Sequence, residues 1–140
     1  MVNPQKIANV MGLKKTVRSL GELSEVVSHG IPKSSLRRIA GRVASDPKEE
    51  REVLHRLIPP ATYKRRKNLL KPEESEKAER LARVIATAEY VWEDEEAVRR
   101  FLKSPHPELG GRTPLEAAYT ELGARRVEEL LWKLFHGLPA

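Results

Sequence analysis

The chain is predicted to be all-α, and three observations carry that expectation. Apolar residues recur at three- and four-residue spacing from Leu20 to Phe135, the spacing of one helix face, and alternating β-branched runs are absent. Helix-start chemistry recurs along the chain, at Asp46-Pro47 with Glu49, at Pro72 with Glu73, Glu74 and Glu76, and at Thr113-Pro114 with Glu116. Proline at the first helical position loses an N–H that has no helical partner anyway, and acids in the first turn suit the positive end of the helix dipole. The connections between periodic stretches are short, so about seven helices pack directly against their neighbours.

The elements follow in order. Residues 1–18 have weak periodicity and carry Lys6, Lys14, Lys15 and Arg18 beside the α-amino group, so residues 1–19 are expected to form a basic N-terminal arm. Leu20, Leu23, Val26 and Val27 make a short helix face that ends near Gly30. Ile31 and Pro32 restart the chain, and Ser34 or Ser35 can cap a second helix bearing Leu36, Ile39, Ala40 and Val43. Asp46 caps a third, with Glu49 three residues on and a stripe of Val53, Leu54, Leu57 and Ile58. Pro59 and Pro60 stop it, because proline disfavours helix in the residue before it. Pro72 opens a long helix with a stripe of Leu81, Val84, Ile85, Ala88, Val91 and Trp92. Asp94 begins another, with Val98, Phe101 and Leu102.

Pro105, Pro107, Gly110 and Gly111 forbid regular structure across the next loop. Thr113 and Glu116 then form a capping box with proline between them. Leu115, Ala118 and Tyr119 follow, and a last helix carries Val127, Leu130, Leu131, Leu134 and Phe135. Gly137 ends it and leaves Leu138, Pro139 and Ala140 as a short apolar tail.

A chain of 140 residues supports one domain, or two small ones sharing a core. With no cysteine, disulfides, thiolate metal sites and thiol catalysis are excluded. Basic residues interrupt any apolar run of signal-peptide type near the N-terminus, and no window approaches the ~18 apolar residues of a membrane span. A cytoplasmic protein without a membrane partner is expected. Charge is uneven: residues 1–71 hold sixteen Lys and Arg against six acids, and residues 72–140 hold ten against fourteen. A basic half joined to an acidic half points to a polyanion for the first and a different partner for the second.

Within the basic half, five of the eleven residues from 61 to 71 are basic and none is acidic. Thr62, Tyr63, Lys64, Arg65, Arg66 and Lys67 follow a helix and a sharp turn, the arrangement of the second helix of a helix-turn-helix. Arginine can pair with guanine O6 and N7, lysine neutralises phosphate, and a hydroxyl can fix the helix on the backbone. Lys33, Arg37 and Arg38 can extend such a footprint, as can Lys14, Lys15 and Arg18. The plainer alternative is a solvated charge run between two helices.

No catalytic constellation is legible. His29, His55, His106 and His136 are far apart and lack metal-ligand spacing, and Ser34, Ser35 and Ser104 lack a nucleophile-elbow context. The acids Glu93 to Glu96 suit a helix start. Neither a cofactor nor a metal is expected. Trp132 and Phe135 read either as core on a helix stripe or as aromatic anchors for a partner. Residues 137–140 read either as a frayed end or as a segment that inserts into a partner. Arg112 is either an ordinary surface residue or a two-pronged donor to a partner carboxylate.

The stretch "LGGRTPLEAAYTELGARRVEELLWKLFHG" at residues 109–137 closely resembles the toxin-binding domain of Xre/MbcA/ParS-type antitoxins, with loop, cap and closing helix in the same order and Gly123 as a short break. Residues 62–67 resemble the T-x-x-R-R-K recognition helix of that family, although Pro59 and Pro60 stand where the family has a small-residue turn. The resemblance covers roughly residues 50–140. It implies an Xre-like helix-turn-helix over residues 20–71, which binds double-stranded promoter DNA of its own operon, and a helical toxin-binding domain over residues 72–140. It further implies a RES-domain toxin as partner, an NAD-consuming enzyme occluded by the antitoxin's C-terminal region. The toxin-binding residues would be Gly110, Gly111, Arg112, Thr113, Trp132, Phe135, His136, Gly137, Leu138, Pro139 and Ala140. Reading two half-sites needs a dimer, so a homodimer joined into a larger complex with toxin is expected. The other readings are a stand-alone helix-turn-helix transcriptional regulator and a protein-interaction adaptor without a DNA role.

Overall fold

A computed structural model describes residues 1–138. It is 68% helical and forms no strand among those residues. The helices are α1 (Pro4–Val10), α2 (Leu20–His29), α3 (Ser35–Val43), α4 (Pro47–Leu57), α5 (Pro60–Arg65), α6 (Pro72–Trp92), α7 (Glu95–Leu102), α8 (Pro114–Ala117) and α9 (Glu121–Phe135), with a 3-10 turn at Pro107–Leu109 before α8.

Helix α6 is the spine. Ala78, Leu81, Ala82, Val84, Ile85, Ala86 and Ala88 are all buried, so a broad apolar face covers more than half of its circumference and packs against α1, α2, α3, α7 and α9. Its alanines let those neighbours approach closely. Its buried hydroxyls are used: Thr87 Oγ1 donates to the Arg83 carbonyl at 2.7 Å, and Ser75 Oγ accepts from the Ile31 N–H at 2.9 Å. Because both ends of the chain pack on this one helix, a single apolar cluster runs from Val2 to Leu131. A boundary between residues 71 and 72 does not separate two cores.

The N-terminal segment is not a basic arm. Ile7, Ala8, Val10 and Met11 are fully buried, and α1 packs on α6. Asn3 caps α1 by accepting from the Gln5 N–H at 2.8 Å, and Gln5 Oε1 accepts from the Val17 N–H at 2.7 Å, which draws the following loop onto the core. A helix of seven residues is only two turns long, too short to print a clear period on the sequence.

Most helix starts obey local chemistry, but at α3 the expected serine cap does not form: Ser34 is the N-cap residue and makes no side-chain hydrogen bond there. Asp46 and Thr113 accept from the N–H three residues on, at 2.8 Å and 3.1 Å. The glutamates expected to close the boxes turn elsewhere: Glu49 takes the Ser45 N–H and Lys103, while Glu116 takes Arg56. Gly123 is not a break but lies inside the first turn of α9. A Cβ there would sit 1.9 Å from the Ala117 carbonyl oxygen, so glycine is what lets α9 start against the end of α8. Trp92, expected on the buried stripe, is 38% exposed and stacks on Phe101 at 6.0 Å between ring centroids. Among the described residues, no helix is long and apolar enough to cross a membrane.

Candidate functional site

Two surfaces emerge. The first is built by α4, the turn at Ile58–Pro59, and α5. Ile58 is buried, Pro59 is extended, and Pro60 is the first residue of α5, so the paired prolines make the turn between two helices. Thr62, Tyr63, Lys64 and Arg65 lie on α5, Arg66 is its C-cap, and Lys67 follows. Lys64, Arg65 and Lys67 are exposed, as is Arg37. Arg65 Nη2 donates to Thr62 Oγ1 at 3.3 Å across one turn.

The other residues of this group, and exposed Arg37, make contacts within the chain. The Tyr63 ring packs on the core, edge-on to His55 at 6.3 Å. Lys33 Nζ stands 4.2 Å from the Tyr63 ring centroid and donates to the Arg66 carbonyl at 3.0 Å. Arg37 Nε donates to the Tyr63 hydroxyl at 3.4 Å. Arg66 forms a two-pronged pair with Glu74 at 2.8 and 2.7 Å, with side chains only 16% and 19% exposed. The Arg66 hydrogen bond holds the Glu74 carboxyl below the usual carboxylate range. Arg66 is therefore committed to the fold, and Glu74, expected only as an acid that suits the helix dipole, is its partner.

A short strap that joins the segments flanking α5 has no signature in the sequence. Residues 30–33 pair with 68–70, through Leu70 N–H to Ile31 O at 2.9 Å and Lys33 N–H to Asn68 O at 2.8 Å. Gly30, at φ +97°, permits it, since a Cβ would lie 2.4 Å from the Leu70 carbonyl oxygen. No local pattern announces a two-residue pairing between segments so far apart.

The second surface joins the glycine loop to the end of α9. His106 organises the loop: its Nδ1 accepts from the Glu108 N–H at 3.2 Å, its carbonyl accepts from Gly111, and its N–H donates to the Arg112 carbonyl at 3.1 Å. Gly110 and Gly111 have φ of +68° and +82° with open space around them, so backbone conformation rather than crowding selects glycine. Arg112 is exposed and has no ion-pair partner among the described residues. Thr113 is spent on the cap.

At the far end of α9, Trp132, Phe135 and His136 form an edge-stacked group, with Trp132 and Phe135 centroids 5.7 Å apart. Tyr90 of α6, missed in the sequence, completes it at 5.7 Å from Trp132 and 5.3 Å from Phe135. Trp132 is half-buried, while Phe135 is 45% and Leu138 56% exposed, so this aromatic edge faces outward rather than joining the core. Gly137, at φ +67°, donates to the Leu134 carbonyl while Leu138 N–H reaches Lys133 O at 2.9 Å. That double closure of the helix end turns the chain off α9. Pro139 and Ala140, also expected at this surface, lie outside the described residues.

Comparison with known proteins follows this division. A family model described as the antitoxin Xre-like helix-turn-helix domain matches residues 22–83, and one described as the antitoxin Xre/MbcA/ParS C-terminal toxin-binding domain matches residues 87–137. The chain is similar to a curated protein of Pseudomonas putida named Antitoxin Xre, 32% identical over 84 residues, or 58% of this chain and 53% of the relative. It thus spans about half the length of that relative. The two matched segments meet within α6, the helix on which both surfaces are mounted. A helix-turn-helix domain followed by a toxin-binding domain, in that order on one core, places the chain in the Xre-type antitoxin family.

Proposed function

We propose that this chain is a non-enzymatic cytoplasmic antitoxin that neutralises a RES-domain, NAD-consuming toxin by laying its C-terminal region over the toxin's active-site cleft. On the same reading, the α4–α5 helix-turn-helix binds the promoter of its own operon as a homodimer and represses it. The observation that carries the toxin half is the outward aromatic edge at Phe135, continued by exposed Leu138, at the end of the matched toxin-binding segment. Aromatic side chains bury large areas at low entropy cost, which makes them strong interface anchors. The DNA half is supported by Lys64, Arg65 and Lys67, exposed together on and just after α5.

The test is co-expression with the neighbouring reading frame, followed by co-purification and measurement of cellular NAD. A stable complex that spares NAD, with NAD lost when this chain is omitted, is the expected result. No complex and no NAD loss would overturn the toxin half and leave a stand-alone DNA-binding regulator.

A further inference from the structure

Helix α5 has six residues, no side-chain cap and no fully buried residue. Isolated helices shorter than ~12–15 residues are marginal, so α5 must be held from outside. Two basic residues of its own neighbourhood do this. Lys33, from the turn before α3, lies against the Tyr63 ring and donates to the carbonyl of Arg66, the C-cap residue of α5. Such a cation satisfies an otherwise unpaired oxygen and suits the negative end of the helix. Arg66 in turn grips Glu74, whose Oε1 also accepts the Lys71 N–H at 2.9 Å, and Glu74 is fixed in the first turn of the α6 spine.

We propose that Lys33, Arg66 and Glu74 are positioning residues that set the angle at which α5 meets a DNA duplex, and that the duplex is touched by Lys64, Arg65 and Lys67. This rests on reading α5 as the recognition helix. The chemistry separates the two groups. Arg66 spends Nε and Nη2 on a carboxylate that would repel a phosphate, whereas the other three are exposed. An arginine in a basic run thus serves as a bolt rather than a reader.

The test uses the sign of a charge. Glu74→Gln removes a negative charge beside a polyanion-binding surface, so plain electrostatics predicts unchanged or tighter binding. The positioning role predicts the opposite. Binding of the full chain to a labelled duplex from upstream of its gene is measured by anisotropy over a series of salt concentrations. Glu74→Gln should bind about tenfold more weakly, the scale of one lost base contact, with an unchanged salt slope. The exchanged pair Arg66→Glu with Glu74→Arg should recover most of the loss. Lys64→Ala and Lys67→Ala should each lower the salt slope by about one.

Binding by Glu74→Gln as tight as wild type would overturn the proposal, as would failure of the exchanged pair to recover. Hydrogen exchange provides a readout free of DNA: amides of α5 should exchange faster in Glu74→Gln while those of α9 stay protected. Unchanged α5 exchange would overturn the clamp. A wild-type chain that binds no duplex would instead overturn the DNA reading.

Discussion

Arg56 and Glu116, sixty residues apart in the chain, meet at 2.9 Å, and the same guanidinium lies 4.3 Å from the Tyr119 ring centroid. The pair ties α4, the scaffold of the proposed helix-turn-helix, to α8, the helix launched by the glycine loop. Tyr119 is sunk behind it, and burial pushes its phenol up to about 12. The two surfaces are therefore joined twice, through the α6 core and through this bridge.

The bridge should be mechanical rather than strongly stabilising. Both charged side chains are about half exposed, and water and salt screen such pairs. Glu116→Gln should lower stability by less than about 1 kcal/mol, and by less still at high salt. Urea unfolding at two ionic strengths checks this.

Two glycine substitutions should differ widely. In Gly123→Ala the new methyl would overlap the Ala117 carbonyl, a backbone atom that cannot step aside, at a cost of about 3 kcal/mol. In Gly110→Ala nothing lies within 4 Å, and only the positive φ is penalised, at about 1 kcal/mol. Denaturation midpoints of the two variants provide the comparison.

Glu79 and Glu128 flank Arg83 at 3.3 and 3.2 Å. Burial pushes both carboxyls up, against the pull of Arg83, joined by Arg80 for Glu79 and by the α-amino group for Glu128; Glu128 repels Glu79, and both are repelled by Glu121. A folded chain that holds these protons more tightly than the unfolded chain is favoured below the ordinary carboxylate value of about 4.3, and loses that advantage as pH rises through the raised values. Glu79→Gln lacks the effect, so its thermal midpoint relative to wild type should rise from about pH 4 to about pH 7. Glu74 has the opposite sign: its lowered carboxyl stabilises above the ordinary range and loses this as pH falls. Glu74→Gln should therefore lose ground to wild type as pH rises through the acid range.

In the proposed toxin complex, Phe135→Ala should weaken toxin binding by about 2 kcal/mol, roughly thirtyfold, as a central aromatic anchor does. The ring is nearly half exposed in the free chain, so thermal stability should fall far less than that of a core Phe→Ala variant. Titration calorimetry against the purified toxin, beside a melting curve, separates the two effects.

Whatever acts over one or two helical turns could be read along the chain. The caps at Asp46, Thr113 and Gly137, the proline starts of α4, α6 and α8, and the stripes of α4, α6 and α9 depend on residues three or four apart, so their spacing is legible. The same holds for the basic run at 64–67. What those residues are used for depends on how the helices pack. That packing buried α1, whose two turns print no period, against α6. It turned Glu116 from its cap to Arg56, brought Tyr90 to Trp132, and committed Arg66 to Glu74 while leaving Arg65 exposed. A side chain's partner in three dimensions depends on how whole helices pack, and residues eight to sixty positions apart leave no periodic trace of having met.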